Sequence, residues 1–308
     1  MGGGPAGSTC AWKLKQAGLD VIIIDRQEFP RPKLCAGWIT PKVVRDLEIN
    51  PGSYPHGLIT FNRLYFHLHG VKIPVKTRQY SIRRIEFDTW LLERSGVPVD
   101  HHLVQNIHKE NGAYIIDDIY RCKYLVGAGG TNCPVYHTFF EEAGFRVPKQ
   151  QIICMETEFP YDVQNTNCYL WFFDRGLKGY SWYVPKAGNY INIGIGGKFH
   201  GIQAQGEALR SHWDHFIRTL IRLSLVSENT FHPLGYSYYI RQKIQKVQMD
   251  NAFITGDAAG LATRDMGEGI GPAVESGLLA ANAIIQDSEY SLESVTRSSL
   301  FNILFRHS

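Results

Sequence analysis

Gly2-Gly3-Gly4-Pro5-Ala6-Gly7-Ser8 opens the chain, runs into the helical stretch Thr9 to Gln16, and is followed by Leu19-Asp20-Val21-Ile22-Ile23-Ile24-Asp25. Gly2, Gly4 and Gly7 fit the spacing G-x-G-x-x-G. Glycines so placed allow a tight turn and let backbone N–H groups reach a pyrophosphate at a helix N-terminus. Pro5 and Ala6 complete the turn. Gly18 ends the helix, and residues 19–24 read as a buried parallel strand closing on Asp25. A carboxylate at that strand end, about 20 residues past the glycines, is positioned to accept hydrogen bonds from a ribose. Arg26 and Lys33 add cations just beyond it. The pattern predicts the helix and second strand of a βαβ dinucleotide-binding unit.

A buried strand of about five or six residues normally precedes such a loop. Only Met1 does so here. Either the chain is truncated or its start is misplaced, or the sheet itself lacks this first, central strand.

Two further glycine clusters lie far along the chain. Gly256-Asp257-Ala258-Ala259-Gly260 follows the predicted strand 252–255, which sets Asp257 at the strand's C-terminal tip, where open α/β sheets bind ligands. Gly267-Glu268-Gly269-Ile270-Gly271 opens a helix predicted from Pro272 to Gln286, whose amide dipoles favour an electron-rich partner. Asp257 suits a ribityl hydroxyl. Together the three segments read as one cradle for FAD, with Gly256, Asp257, Gly267, Gly269 and Ile270 as its distal contacts.

Composition adds bounds rather than function. The 308 residues are 44% apolar and 20% charged, ordinary for a globular protein with a sizeable core. Thirty-two Lys and Arg against 29 Asp and Glu, without a basic run, argue against a nucleic-acid partner. Six scattered cysteines, no CxxC pair and no signal peptide predict a reduced, cytoplasmic protein, and no apolar run reaches the roughly 18 residues of a transmembrane helix.

Between the clusters, 40–47 and 84–94 read as helices and 63–81 as a hairpin turning at Gly70. Short strands are expected near 103–108, 114–119 and 124–126. The aromatic-rich patches 168–173, 180–184 and 190–195 are expected as neighbouring antiparallel strands, with a helix over 205–223. The predicted fold class is α/β: a Rossmann-type domain (1–62, 83–148 and 244–289) interleaved with an antiparallel β-rich substrate domain (63–82 and 149–243), then a C-terminal helix (290–308).

Five stretches in order carry a family resemblance: Gly2 to Gly7 with Asp25; Lys33-Leu34-Cys35-Ala36-Gly37; Arg84-Ile85-Glu86-Phe87-Asp88; Gly179-Tyr180-Ser181-Trp182-Tyr183-Val184-Pro185; and Gly256 to Gly271. The chain resembles the geranylgeranyl reductase branch of the FAD-dependent oxidoreductases, relatives of aromatic-ring hydroxylase-type monooxygenases and flavin halogenases. The resemblance implies a β-sheet domain over the isoalloxazine ring, Arg84 on the FAD phosphates or ribityl chain, and Cys35 facing flavin and substrate. Gly127-Ala128-Gly129-Gly130 departs from the hydroxylase pattern, which has an Asp-Gly pair there, so NADPH binding by that route is not expected.

Cys35 near the ring would donate a proton or tune the flavin, its alternative being a small buried hydrophobe. Tyr180 and Trp182, two apart on a predicted strand, should share a face and with Phe172 wall an apolar tunnel, unless they are ordinary sheet packing. Cys35, Tyr180 and Trp182 are thus the candidate catalytic residues. The pairs His67 and His69, His101 and His102, and His212 and His215 lack completing ligands, so no metal is expected.

The implied activity is reduction of a C=C bond in an apolar, prenyl-type small molecule or lipid, with hydride from reduced FAD and an electron donor that the sequence does not name. The alternatives are a flavin monooxygenase or halogenase, and a flavin-free binding protein or pseudoenzyme. The apolar tail Leu300 to Arg306 suits either core packing or peripheral membrane contact.

Overall fold

The computed structural model describes every residue except 144–145, 205–207, 243–245, 301–302 and 304–308. The first third contains α1 (Pro5–Gln16), β1 (Ile23–Asp25), β2 (Trp38–Ile39), α2 (Pro41–Asp46), β3 (Ile59–Leu68), β4 (Val71–Ser81), α3 (Arg84–Arg94) and β5 (Val99–His101). Next come β6 (Ile107–Glu110), β7 (Ala113–Ile116), β8 (Tyr120–Cys122), β9 (Leu125–Gly127), α4 (Pro134–Phe139), β10 (Gln151–Pro160), β11 (Cys168–Phe172), β12 (Gly179–Lys186) and β13 (Tyr190–Lys198). The remainder contains α5 (Phe199–Ala204), α6 (Leu209–Arg222), β14 (Leu234–Tyr239), β15 (Gln248–Met249), β16 (Ala252–Ile254) and α7 (Ile270–Gln286). The chain is α/β, as its sequence predicts, and clusters into two units. Unit 1 holds residues 1–32, 85–147 and 239–299; unit 2 holds 33–84, 148–238 and 300–308. Residues 33–62, grouped by sequence with the nucleotide-binding domain, cluster with unit 2.

Unit 1 carries two short parallel pairings, β1 with β5 and β16 with β9. Met1 and Gly2 form the rung between them. The Met1 ammonium donates to Val126 O, Ala128 N–H donates to Met1 O, and Gly2 N–H donates to Ile24 O, each at 2.8 Å. The strand predicted over 19–24 is shorter than expected. Leu19 N–H returns to Leu14 O and so closes α1 instead of joining a ladder, and Ile22 is exposed. The unit's core joins Cys10 and Leu14 of α1, Phe253 and Ile254 of β16, Ala280 and Ile284 of α7, and Tyr136 and Phe140.

The C-terminal helix expected from 290 is absent over the described residues 290–298. Side chains take the place of a helical ladder there: Arg241 donates to Val295 O and Leu292 O, and Thr296 N–H to Glu275 Oε2. Tyr290, Leu292 and Val295 still bury in the core. Of the apolar tail, only Leu300 and Ile303 are described, and Ile303 is buried; the other residues of that stretch lie outside the described ones.

Unit 2 is built on one eight-stranded sheet of order β14-β10-β13-β12-β11-β3-β4-β2. The hairpin turns at His69 and Gly70, both with positive φ, as a two-residue loop requires. β11, β12 and β13 are antiparallel neighbours as predicted, whereas β11 meets β3 in parallel. Because side chains alternate across a sheet, one face presents Tyr169, Trp171, Tyr183, Ile191, Ile193 and Ile195, which pack with Trp213, Phe216 and Leu220 of α6. The other face presents Glu156, Tyr180, Trp182, Asn192, Gly194 and Phe172, which register side by side across β10, β13, β12 and β11.

Candidate active site

Unit 1 gathers the glycine segments. Gly4 caps α1 in extended conformation with no side-chain capping bond, Pro5 fills the first helical position, and no acidic residue stands in the first turn. The three motif glycines have separate duties. Gly2 has a φ of +102° and lies so close to Ala128 O that a Cβ would overlap it. A Cβ on Gly7 would overlap Gly2 O. At Gly4 the nearest atom to an added Cβ is Arg31 Nη2, at 3.5 Å. The loop is thus tight where turn and helix packing demand it and open at its middle, which fits a dinucleotide pyrophosphate.

Asp25 braces this turn. Its Oδ2 accepts Gly3 N–H at 2.7 Å and its Oδ1 accepts Gln27 N–H at 2.9 Å, and the remaining lone pairs suit a ribose. Arg26 is exposed, its carbonyl 2.8 Å from His101 Nε2. Arg31 was not singled out from sequence. Its guanidinium lies 3.6 Å from the buried Asp88 carboxylate and 4.6 Å from the Phe29 ring, which holds a cation beside Gly4.

The distal segments converge on the same helix start. Ala6 Cβ and Ala273 Cβ each lie 3.3 Å from the Cβ position of Gly256, and Gly277 of α7 approaches Ala6 O so closely that a Cβ would overlap it. Asp257 Oδ1 is 3.4 Å from the Cβ position of Gly269, which caps α7 just ahead of the buried Ile270. Gly267 N–H donates to Thr263 O at 3.0 Å. Arg146, another residue not marked by sequence, pins the turn Gly256–Ala259. It donates to Ala258 O at 2.6 Å, Asp257 O at 3.3 Å and Thr131 O at 2.5 Å. Glu268 Oε1 accepts Gly271 N–H at 2.5 Å, and burial pushes its carboxyl up to about 7.

Lys33, Cys35, Arg84, Tyr180 and Trp182 belong to unit 2. Lys33 Nζ sits 3.3 Å from the centroid of the Tyr236 ring. Arg84 is buried at the first residue of α3, so it is no surface helix arginine. Phe66, Phe172, Tyr180 and Trp182 form a continuous aromatic row, with successive centroids 5.1, 5.5 and 5.8 Å apart. Cys35 is half-exposed, and Gly37 N–H points to its Sγ at 3.4 Å. Its loop is held by groups that the sequence reading passed over: Cys35 N–H donates to Glu156 Oε1 at 2.5 Å, Asn192 Nδ2 to Cys35 O at 3.4 Å, and Lys186 Nζ to Ala36 O. Among the histidines, His67 stacks on Trp171, while His102 and His215 pair with Asp117 and Asp174.

A family model described as an NAD(P)-binding Rossmann-like domain matches residues 1–63. An uncharacterized protein of Methanosarcina barkeri is 30% identical over 92% of this chain and 73% of its own length. The geranylgeranyl diphosphate reductase of Rhodobacter capsulatus is 28% identical over the same shares. The chain belongs to the geranylgeranyl reductase-like branch of the FAD-dependent oxidoreductases. As a member of that branch it is an oxidoreductase, and FAD is its cofactor. The crystal structure of a geranylgeranyl bacteriochlorophyll reductase-like protein from Thermoplasma acidophilum has the same fold, with a TM-score of 0.78, 22% identity, and coverage of 92% of this chain and 76% of that one. No helix among the described residues of this reductase-like chain is long and apolar enough to cross a membrane.

Proposed function

We propose that this oxidoreductase reduces a carbon–carbon double bond in an apolar, prenyl-type substrate. The observation that carries this reading is the aromatic row Phe66, Phe172, Tyr180 and Trp182 on the sheet face that also anchors the Cys35 loop. An isolated alkene accepts hydride poorly. Protonation towards a tertiary cation must accompany transfer, and that needs an apolar surface that excludes water beside one acidic group. FAD, when bound, supplies the hydride, and an external electron donor supplies the reducing equivalents.

This chain's own residues do the rest. The amides of Gly4, Ala6 and Gly7 with the α1 dipole hold the pyrophosphate, while Gly2, whose N–H is bonded to Ile24 O, and Pro5 shape the turn. Asp25, with Arg26 near it, holds the ribose end. Asp257 and Gly256 take the ribityl chain, Gly267, Gly269 and Ile270 face the pyrimidine edge, and Arg31 balances the phosphates. Tyr180 and Trp182 bind the prenyl chain, and the Cys35 thiol stands as proton donor. Since that role needs a free thiol, a reducing, cytoplasmic setting suits it. The relatives named for prenyl reduction support this substrate class.

The test is an anaerobic single turnover. FAD-loaded protein, reduced with dithionite, is mixed with a geranylgeranylated lipid. Flavin reoxidation at least tenfold faster than without lipid, with a product two mass units heavier per double bond reduced, is the expected result. Reoxidation at the lipid-free rate with no mass change overturns the reading.

A further inference from the structure

Glu156 is a carboxyl that no sequence pattern marked. It sits at the middle of β10, 3% exposed, on the sheet face that carries Trp182 and Tyr180. Two of its neighbours already belong to the candidate site. Cys35 N–H donates to Glu156 Oε1 at 2.5 Å, and Asn192 Nδ2 lies 3.4 Å from both Glu156 Oε1 and Cys35 O. Trp182 Nε1 donates to Asn192 Oδ1 at 2.7 Å. The Trp182 indole in turn lies against Gly194, the residue opposite Glu156 in the β10–β13 register. One buried hydrogen-bonded chain therefore runs from the Trp182 ring through Asn192 and Glu156 to the backbone of Cys35.

We infer that Glu156, acting with Asn192, is the positioning residue that fixes the Cys35 thiol relative to Trp182. The inference rests on the proposed role of Cys35 and Trp182, but its geometry lies within unit 2 alone. A main-chain amide so short to a carboxylate is a charge-assisted bond, roughly twice as strong as a neutral one. Rotation of Cys35 would take from the buried Glu156 carboxyl its shortest hydrogen bond and leave the Cys35 amide unpaired, a loss of about 1–3 kcal/mol. Ala36 and Gly37 are tied as firmly. Lys186 Nζ donates to Ala36 O, and Ile82 N–H to Gly37 O at 2.8 Å.

Charge makes this position responsive to pH. The groups facing Glu156 are Asn192 on β13, Lys186 on β12, Cys154 and Glu158 on β10, and Cys35 on the loop; Glu158 is itself paired with Arg83 at 2.8 Å. Burial is the largest influence and pushes the Glu156 carboxyl up to about 7, against the opposing pull of its hydrogen bonds and Lys186. The Cys35 loop is therefore held by a carboxylate above neutrality and by a weaker, neutral acceptor below it.

Site-resolved hydrogen exchange at the Cys35 amide and mass-spectrometric alkylation of Cys35 test this from pH 6 to 8, each corrected for its intrinsic pH dependence. In the wild type, protection of the amide is expected to rise through pH about 7 and alkylation to fall with it. Glu156→Gln should abolish that step. Glu156→Ala should raise exchange at Cys35 about tenfold or more, while amides in α6 and β11 keep their protection. Should the alanine variant fail to fold, the glutamine variant alone decides. Superimposable wild-type and Glu156→Gln profiles overturn the inference. Because neither readout involves substrate, a silent lipid assay with an intact pH step would retire the proposed substrate and leave the positioning role standing.

Discussion

Gly4 and Gly7 make opposite demands on a methyl group, although both belong to one motif. An alanine at Gly7 would overlap the carbonyl of Gly2, which is backbone that cannot yield without moving the turn, and would press on the Ala128 methyl. Overpacking of this kind costs about 1–3 kcal/mol. Gly4 has ordinary extended dihedrals, and its Cβ would meet only the end of Arg31, at 3.5 Å. Gly7→Ala is accordingly expected to lower the unfolding midpoint and weaken FAD binding by at least tenfold. Gly4→Ala should fold like the wild type yet also lose FAD affinity, because its methyl occupies the open middle of the cradle. Titration of apoprotein with FAD, followed by flavin fluorescence, checks both; wild-type affinity in the Gly4 variant would remove the pyrophosphate from this loop. At this scale the tight glycine turn was legible because glycine spacing is a backbone requirement written directly in sequence. Glu156 and Asn192 were not, since a polar residue at alternate strand positions reads equally well as a solvent-facing side chain, and only the packing above it distinguishes the two.

The sheet of unit 2 shows the same ambiguity between elements. Cys154, Glu156 and Glu158 alternate with Ile153, Met155 and Thr157 along β10, and alternation alone suggests one wet and one dry face. In the structure the Cys35 loop covers the first face at Glu156, and α6 packs on the second. Helices α3 and α7 were predicted nearly to the residue because their periodic apolar stretches are long. β5 was missed because all three of its residues are exposed, leaving no buried pattern to read, and β1 was predicted too long because its neighbour rung, Met1–Gly2, offers a single bond. Gly194 records how closely this sheet packs. The Trp182 ring occupies the space of its missing side chain, and Glu156 Cβ lies 2.8 Å from the same point. Gly194→Ala must therefore displace the indole and break its bond to Asn192. A loss of about 1–3 kcal/mol in unfolding free energy is expected, with a shift in tryptophan emission. A variant with wild-type stability and emission would show that the row is loosely held.

Across the whole molecule, three buried ionisable groups make opposing contributions to the dependence of stability on pH. The Glu156 and Glu268 carboxyls are raised from 4.5 to about 7, in both cases chiefly by burial. Their neutral forms are favoured in the folded state, so the stability each contributes is complete below the unfolded value and is lost as pH climbs from about 4.5 to 7. Lys186 has the opposite sign. Burial lowers its ammonium from 10.5 to about 8, so the stability associated with it is present above the unfolded value and is lost as pH falls through 8. Each shift corresponds to about 3 kcal/mol. Their summed contribution falls between pH 4.5 and 7, passes a minimum between 7 and 8, and recovers towards 10. Urea unfolding of the apoprotein at intervals of one pH unit measures it. Glu268→Gln keeps an acceptor for Gly271 N–H while removing the titration, so the fall below pH 7 should shrink by about half and the recovery above 8 should persist. Glu268 also faces Glu275, Asp265 and Asp257, all of which raise it, so a carboxylate at this position is opposed by its surroundings as well as by burial. If the glutamine variant loses as much stability as the wild type between pH 5 and 7, Glu268 is ionised in the folded protein, and the start of α7 carries a negative charge where this structure calls for a neutral cap.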